Sequence, residues 1–333
     1  MHINNKTPVV VVTGFLGSGK TTLIKSLSER NDLERTALIV NEFGDVSIDH
    51  HLLKSAPEQV ALIGGGCVCC QVREDLVQSF RNLLNESEAS NSQINRVVIE
   101  TSGLADPAPI VFTLLRDSVL QHHFFVERIV VTVDAFNGLH TIKTQQESLK
   151  QLAIADTVVL TKVDLVGPFQ LETLEKSIEQ LAPDAKIVRS SFGATSMREL
   201  IEEENALRFD KKKYDNLTLS SEHISKTRAV SVLFNEPINW SNFGVWMSML
   251  LHAHGQDVLR IKGIINVGTA GPVSLNGVQH IIYPPQHLKE WPDTNRESRM
   301  TLIVRELDTA SILKSLNVFS RYFGATPVLS SRE

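Results

Sequence analysis

At 333 residues, 42% of them hydrophobic and 21% charged, the chain has room for two domains with sizeable cores. Lys plus Arg total 33 against 38 Asp plus Glu, a net charge of −5, so the basic excess that marks nucleic-acid binding is missing. No apolar run approaches the roughly 18 residues of a membrane span. Met1 to Lys6 lead straight into a strand-like run without a signal-peptide core, so a soluble, cytoplasmic protein with neither nucleic-acid nor membrane partners is expected.

The first predicted element is the strand Val9-Val10-Val11-Val12-Thr13, and Gly14-Phe15-Leu16-Gly17-Ser18-Gly19-Lys20-Thr21 follows it directly. This is the G-x-x-x-x-G-K-T pattern of a phosphate-binding loop. Its glycines let successive backbone N–H groups turn inward around β- and γ-phosphates, Lys20 reaches the same oxygens, and the Thr21 hydroxyl is placed to ligate Mg²⁺. A helix from Thr22 to Arg30 adds its N-terminal dipole. Nucleotide contacts are expected from Gly14, Gly17, Ser18, Gly19, Lys20, Thr21 and Thr22.

Alternating strand-like and helix-like runs continue to about residue 195, the pattern of a parallel α/β sheet. Ala37-Leu38-Ile39-Val40 reads as a buried strand that runs out into Asn41-Glu42-Phe43-Gly44-Asp45, with Asp49-His50-His51 beyond. Acids at the carboxyl end of such a strand stand where a doubly wound sheet places its ligand. Val60-Ala61-Leu62-Ile63 then leads to Gly64-Gly65-Gly66-Cys67-Val68-Cys69-Cys70, which holds all three cysteines of the chain. Cysteines confined to one short run argue against a disulfide framework and for metal or redox chemistry. C-x-C spacing lets Cys67 and Cys69 chelate one Zn²⁺, with Cys70 completing or replacing a ligand. The fourth position falls to Glu42, a histidine or water. Thiol sensing and simple burial of three small side chains are the other readings of the cluster.

A helix is predicted from Arg73 to Leu84 and a polar loop from Ser87 to Asn95. The apolar strand Val97-Val98-Ile99 ends in Glu100-Thr101-Ser102-Gly103. A strand-end acid holds Mg²⁺ in phosphate-loop NTPases, and a glycine shortly after it senses the γ-phosphate, which selects Glu100 and Gly103. Leu104 to Pro109 follow as a switch segment before a helix through Leu115. Ile129 to Asp134 form another interior strand. Thr157-Val158-Val159-Leu160 is a further one, ending in Thr161-Lys162-Val163-Asp164, a variant of N-K-x-D. A carboxylate at Asp164 accepts both the N1–H and N2–H of guanine, and the Lys162 stem lies along the base. Thr161 in place of Asn loses an amide. Val188 to Ser191 end the next strand, with backbone contacts to the base expected there.

From Met197 a last helix is read through about Leu207, then a charged linker that includes Lys211-Lys212-Lys213. The second domain is predicted as a strand at Ala229–Phe234 and a helix from Ser241, as N-cap, to His252. Strands at Val258–Val267, Val278–Tyr283 and Met300–Arg305, an Asn276-Gly277 hairpin turn and a helix at Thr309–Phe323 complete it. His252 and His254 are surface or core residues, or else they face a metal or client. The division is residues 1–207, a linker at 208–228, and 229–333.

In that order, the phosphate loop, Asn41-Glu42-Phe43-Gly44, the glycine-cysteine run, Glu100 to Gly103 and Thr161 to Asp164 resemble the CobW-like P-loop GTPases, relatives of UreG and HypB. Leu259-Arg260-Ile261-Lys262-Gly263 is similar to part of that family's C-terminal domain. The resemblance implies a P-loop fold with a mostly parallel sheet and helices on both faces, plus a smaller α+β domain. It implies a GTP-hydrolysing metallochaperone that uses GTP, Mg²⁺ and Zn²⁺ or Co²⁺. It further implies a client metalloprotein and a nucleotide-dependent homodimer. Lys20 and Thr21 carry over as phosphate and Mg²⁺ contacts, Cys67, Cys69 and Cys70 as metal ligands, and Lys162 and Asp164 as guanine contacts. Asp45 departs from the usual Glu, and the histidine-rich tract of some members is missing, which argues against metal storage. An acid from the segment that starts at Glu42 positions the attacking water, and turnover is slow in the absence of an arginine finger. Two rivals are an ATP- or GTP-dependent enzyme, such as a small-molecule kinase, with redox-active cysteines, and a metal sensor or scaffold whose nucleotide site is structural.

Overall fold

The valine run Val9 to Val12 is wholly buried, each member at 0% exposure, which a strand achieves only when both faces of its sheet are covered. The structure, a computed structural model, describes residues 6–41, 60–63, 69–90, 93–202 and 227–329. It divides into two compact units, Met1–Glu175 with Ala185–Glu203, and Lys176–Asp184 with Glu204–Glu333.

Seven strands form the sheet of the first unit: β1 (Thr7–Gly14), β2 (Thr36–Asn41), β3 (Val60–Ile63), β4 (Arg96–Glu100), β5 (Phe124–Asp134), β6 (Thr157–Thr161) and β7 (Lys186–Arg189). Their order is β3-β2-β4-β1-β5-β6-β7, and every pairing is parallel. The helices are α1 (Lys20–Glu29), α2 (Cys69–Ser90), α3 (Ala108–Arg116), α4 (Leu120–His123), α5 (Gly138–Thr144), α6 (Gln146–Ala153), α7 (Pro168–Leu181) and α8 (Met197–Ile201).

Alternation along β1 explains the layers. Val10 and Val12 pack with Leu23, Ile24 and Leu27 of α1 and Leu200 of α8. Val9 and Val11 pack with Leu76 and Phe80 of α2 and Leu114 of α3. Helices therefore cover both faces, as expected. Each fully buried aliphatic side chain contributes about 1.5–3 kcal/mol before chain entropy is subtracted. The strand order reverses at β1, because β2 to β4 lie on one side of it and β5 to β7 on the other. A doubly wound sheet opens its ligand crevice at the carboxyl ends of the strands beside such a switch point. The phosphate loop leaves β1 there.

The second unit has β8 (Thr227–Phe234), β9 (Val258–Asn266), β10 (Pro272–Val278), β11 (Ile281–Ile282), β12 (Gln286–His287), β13 (Ser298–Arg305) and β14 (Pro327–Leu329). They pair in the order β11-β10-β9-β13-β8-β14, with β12 on β10, and all these pairings are antiparallel. Helices α9 (Trp240–His254) and α10 (Thr309–Phe323) pack on this sheet. Their Phe243, Trp246 and Phe323 join Phe234 of β8 in an aromatic cluster with ring centroids 5.6–6.5 Å apart. Among the described residues no helix is long and apolar enough to cross a membrane.

Six local expectations are corrected. Helix α2 begins at Cys69 rather than Arg73 and runs to Ser90 rather than stopping before a loop at Ser87. The buried triad Leu76, Phe80 and Leu83 fixes its register, and the Asn85-to-Ala89 tail is polar but holds no Gly or Pro to break the helix. Helix α8 stops at Ile201, because Glu202 turns extended with ψ 123°. Asn239, not Ser241, caps α9, its side chain accepting the Asn242 N–H at 3.1 Å. Asn276-Gly277 is not a turn, since both residues lie within β10 and the reversal falls at Gln279-His280, where Gln279 has φ 52°. The strand predicted from Val278 to Tyr283 shrinks to β11.

Candidate functional site

The phosphate loop is held open by its glycines, with φ of 144° at Gly14, 70° at Gly17 and 94° at Gly19. At Gly14 a Cβ would also collide with the hydroxyl and carbonyl of Thr132 on β5, so no other residue fits. The Ser18 N–H donates to Phe15 O at 3.1 Å to close the turn, and the Ser18 and Thr132 hydroxyls are hydrogen-bonded at 2.7 Å. Lys20, the first residue of α1, is buried and donates to Gly14 O at 2.9 Å and Phe15 O at 3.3 Å. Its ammonium thus sits inside the loop's curve. Thr22 is the third residue of α1, beside this loop.

Beside it lies an all-oxygen corner. Thr21 Oγ1 donates to Glu100 Oε1 at 2.7 Å, and Glu100 at the end of β4 is 4% exposed. The Thr101 N–H donates to Val12 O at 3.0 Å and its hydroxyl to Thr13 Oγ1 at 2.7 Å, so the end of β4 is pinned to β1. A hydroxyl and a carboxylate converging at the phosphate loop are the hard donors that Mg²⁺ takes. Gly103 follows, and a Cβ there would lie 2.7 Å from Leu16 N, so this glycine packs directly on the loop. Gln151 of α6, at 0% exposure, donates from Nε2 to Gly103 O at 3.2 Å and Ala105 O at 3.0 Å. Lys150 lies 3.8 Å from Asp106.

The third corner joins the Thr161-to-Asp164 stretch to the loop. Thr161 Oγ1 donates to Ser18 O at 2.7 Å and so ties the end of β6 to the loop. Lys162, at φ 55°, donates to Gly17 O at 2.9 Å and to Asp134 Oδ2 at 2.6 Å. Asp134 Oδ1 accepts the N–H groups of Phe136 at 2.8 Å and Asn137 at 3.2 Å. Burial alone raises the Asp134 pKa, but the Lys162 bond and these amides outweigh it and hold the carboxyl below its ordinary value. Ser191 Oγ donates to Asp164 Oδ1 at 2.7 Å and so orients the carboxylate.

Lys20, Thr21, Glu100, Gly103, Thr161 and Lys162 therefore meet around one loop. Glu42, Asp45, Asp49, His50, His51 and Cys67 lie outside the described residues, and Cys69 and Cys70 open α2 without described side chains. Among the described residues no cluster of three or more His, Cys, Asp or Glu is arranged to hold a metal. Sequence reasoning assigned no role to Asp134, Thr132 or Gln151. The strand-end rule that singled out Glu100 applies equally to Asp134, whereas nothing local marks Gln151, a polar residue in a short helix that only the fold carries beneath the switch segment.

Residues 8–189 match the nucleotide-binding domain of CobW/HypB/UreG, and residues 227–320 the cobalamin synthesis protein cobW C-terminal domain. The chain belongs to the CobW/HypB/UreG family. Among its CobW relatives, the zinc chaperone YjiA of Escherichia coli is 28% identical over 315 residues, which span 92% of this chain and 97% of the relative. The zinc chaperone CobW of Pseudomonas aeruginosa is 29% identical over 353 residues, 93% of this chain and 91% of the relative. A crystal structure of Zn(II)-bound YjiA GTPase from E. coli superposes with a TM-score of 0.71 at 25% identity, covering 95% of this chain and 99% of that one.

Proposed function

We propose that this chain hydrolyses GTP and, under control of the bound nucleotide, carries a transition metal to a client metalloprotein. The observation that carries the nucleotide reading is that Thr161 and Lys162 both bond carbonyls of the phosphate loop, Ser18 O at 2.7 Å and Gly17 O at 2.9 Å. A base-reading corner is thereby built onto a triphosphate cradle. Asp164, oriented by Ser191, accepts the paired N1–H and N2–H donors of guanine, a pair that adenine does not offer on that edge. The amides from Gly14 to Thr22 and the Lys20 ammonium bind the phosphates.

Thr21 and Glu100 are the residues that would hold Mg²⁺, and their oxygen donors fit it. When bound, that ion neutralises charge on the β- and γ-phosphates. The chain's own work is positioning: Lys20 at the phosphate oxygens, the Gly103 N–H toward the γ-phosphate, Glu42 toward the attacking water. The phosphate loop contains no arginine, so basal turnover is slow and rises when a client docks.

The cargo is Zn²⁺ rather than Co²⁺, a choice supported by the names of the relatives and the Zn(II)-bound neighbour. Cys67, Cys69 and Cys70 hold it as thiolates with Glu42 as fourth ligand. GTP orders the segments that contain Glu42 and Leu104 to Pro107 and tightens this site, and hydrolysis loosens it, in a homodimer closed across the nucleotide face.

Competition against labelled GDP tests the guanine reading. GTP should compete at least about 100-fold better than ATP, because a site built to hydrogen-bond a group rejects an analogue that lacks it. Near-equal competition would overturn it in favour of an ATP-dependent enzyme. Lys20→Ala should abolish both hydrolysis and metal delivery, and delivery that survives would favour a metal scaffold with a structural nucleotide site.

A further inference from the structure

Helices α9 and α10 have 15 residues each, and neither contains an Asp or Glu, although the chain as a whole carries 38 acids against 33 Lys and Arg. Their charged or chargeable side chains are His252, His254, Lys314 and Arg321. Between the two helices runs an open groove of about 190 Å³, floored by Trp246, Leu250, Ile312 and Phe319 and walled by Met249 and Ala253. His254 also lines it, and its two serines and the Trp246 indole are already engaged. Trp246 Nε1 donates to Ser315 Oγ at 3.1 Å, and that hydroxyl donates to Ile312 O at 2.8 Å. The Asp308 carboxylate, which caps α10, accepts the Ser311 N–H at 3.2 Å and its hydroxyl at 3.3 Å.

Large apolar side chains continue out of the groove onto both helix surfaces. Val245 and Met249 of α9 are 54% and 56% exposed, and Val318 and Tyr322 of α10 are 59% and 50% exposed. Each pair is spaced i, i+4 and so shares one face of its helix. Lys314 and Arg321 sit at the edge of the α10 stripe, where the Arg321 guanidinium lies 4.7 Å from the centroid of the Tyr322 ring. Exposed apolar side chains scattered singly need no explanation, but an apolar patch with a charged rim marks an interaction surface.

We infer that this groove docks a short acidic amphipathic helix of another protein. The occupant's apolar residues, at i, i+3 or i+4, and i+7, would lie over Trp246 and Phe319. Its carboxylates would meet Lys314, Arg321 and His252. A second copy of this chain is the poorer occupant, because an isologous contact through this face would set cationic rim against cationic rim. The surface involves neither nucleotide nor metal and stands whatever the cargo is.

The full-length protein is titrated into two fluorescein-labelled helical peptides of about 12 residues, with Leu at the anchor positions and either Glu or Lys elsewhere. The Glu peptide should bind saturably, and the Lys peptide about tenfold more weakly or worse. Met249→Glu, at an exposed site, should weaken the Glu peptide about tenfold and leave GTP hydrolysis unchanged. The double variant Lys314→Glu/Arg321→Glu keeps the apolar stripe and should reverse the preference toward the Lys peptide. Equal binding of both peptides, no saturation at concentrations on the order of 1 mM, or a preference the double variant does not move would overturn the proposal. A parent dimer that Met249→Glu dissociates would assign the groove to a second copy and overturn it as well.

Discussion

Replacing Asp134 with Asn should separate the base recognition proposed above from phosphate recognition. The change keeps Oδ1 as acceptor for the Phe136 and Asn137 N–H groups, but it turns an NH₂ group toward both the Lys162 ammonium and the Asn137 side-chain amide, which donates to Oδ2 at 3.2 Å. A charge-assisted hydrogen bond is worth about 1.5–3 kcal/mol. The Asp134 side chain is 11% exposed and that of Lys162 39%, so water screens part of the interaction, leaving about 1–2 kcal/mol. With tenfold for every 1.4 kcal/mol, the GDP dissociation constant should rise by about tenfold. Pyrophosphate, which never reaches the base corner, should bind within about twofold of the parent. Isothermal titration with both ligands is the assay. Unchanged GDP affinity in a folded variant, or equal weakening of both ligands, would refute the coupling between Lys162 and Asp134. The pH dependence has a fixed sign. Because the native carboxyl titrates below the ordinary value of 3.8, its contribution to stability is full above that pH and is lost as pH falls through the lower native value. The stability gap between parent and Asp134→Asn should therefore close in acid and stay open at neutral pH.

Glu100→Gln removes the charged member of the oxygen corner, and GTP hydrolysis at limiting Mg²⁺ should fall by about 10–100-fold while Mg²⁺-free GDP binding persists, as phosphate release and titration will report. Gly14→Ala places a Cβ against Thr132 at φ 144° and should cost about 3 kcal/mol. Urea unfolding followed by far-UV circular dichroism is the assay. Gln151→Leu keeps the shape but strips two carbonyls of a buried donor, at about 2 kcal/mol, and should speed amide exchange across Gly103 to Asp106 relative to the parent.

Much of the fold was legible because the signals were local. Val9 to Val12 read as a strand covered on both faces, and the glycines after them permit the backbone of a phosphate loop. Thr309 to Phe323 was read to the residue, its Asp N-cap and Gly324 stop both adjacent in the chain. The errors came where distant contacts decide. Asn276-Gly277 is the commonest hairpin signal, yet Gly277 pairs with Ile282 and Val278 with Ile281, and that register pushes the turn to Gln279-His280. Helix α2, which runs past both predicted ends, packs through Phe80, whose ring meets Phe124 edge-on at 4.6 Å. At the candidate site the motif residues Lys20, Thr21, Glu100, Thr161 and Lys162, which the fold gathers at one loop, were readable. Those that hold them, Asp134 beneath Lys162, Thr132 behind Ser18 and Gln151 under Gly103, come from strands and helices far along the chain, and only the folded sheet brings them near.

The measurement that bears most directly on the account is Zn²⁺ affinity by competition with a chromophoric chelator, compared between the Mg²⁺–GDP state and a state with Mg²⁺ and a non-hydrolysable GTP analogue. A nucleotide-gated carrier predicts zinc held about tenfold tighter or more in the triphosphate state, a coupling of about 1.4 kcal/mol, and Cys67→Ser should erase the difference. Equal zinc affinity in the two states would contradict it and leave the cysteines as a site independent of an ordinary GTPase.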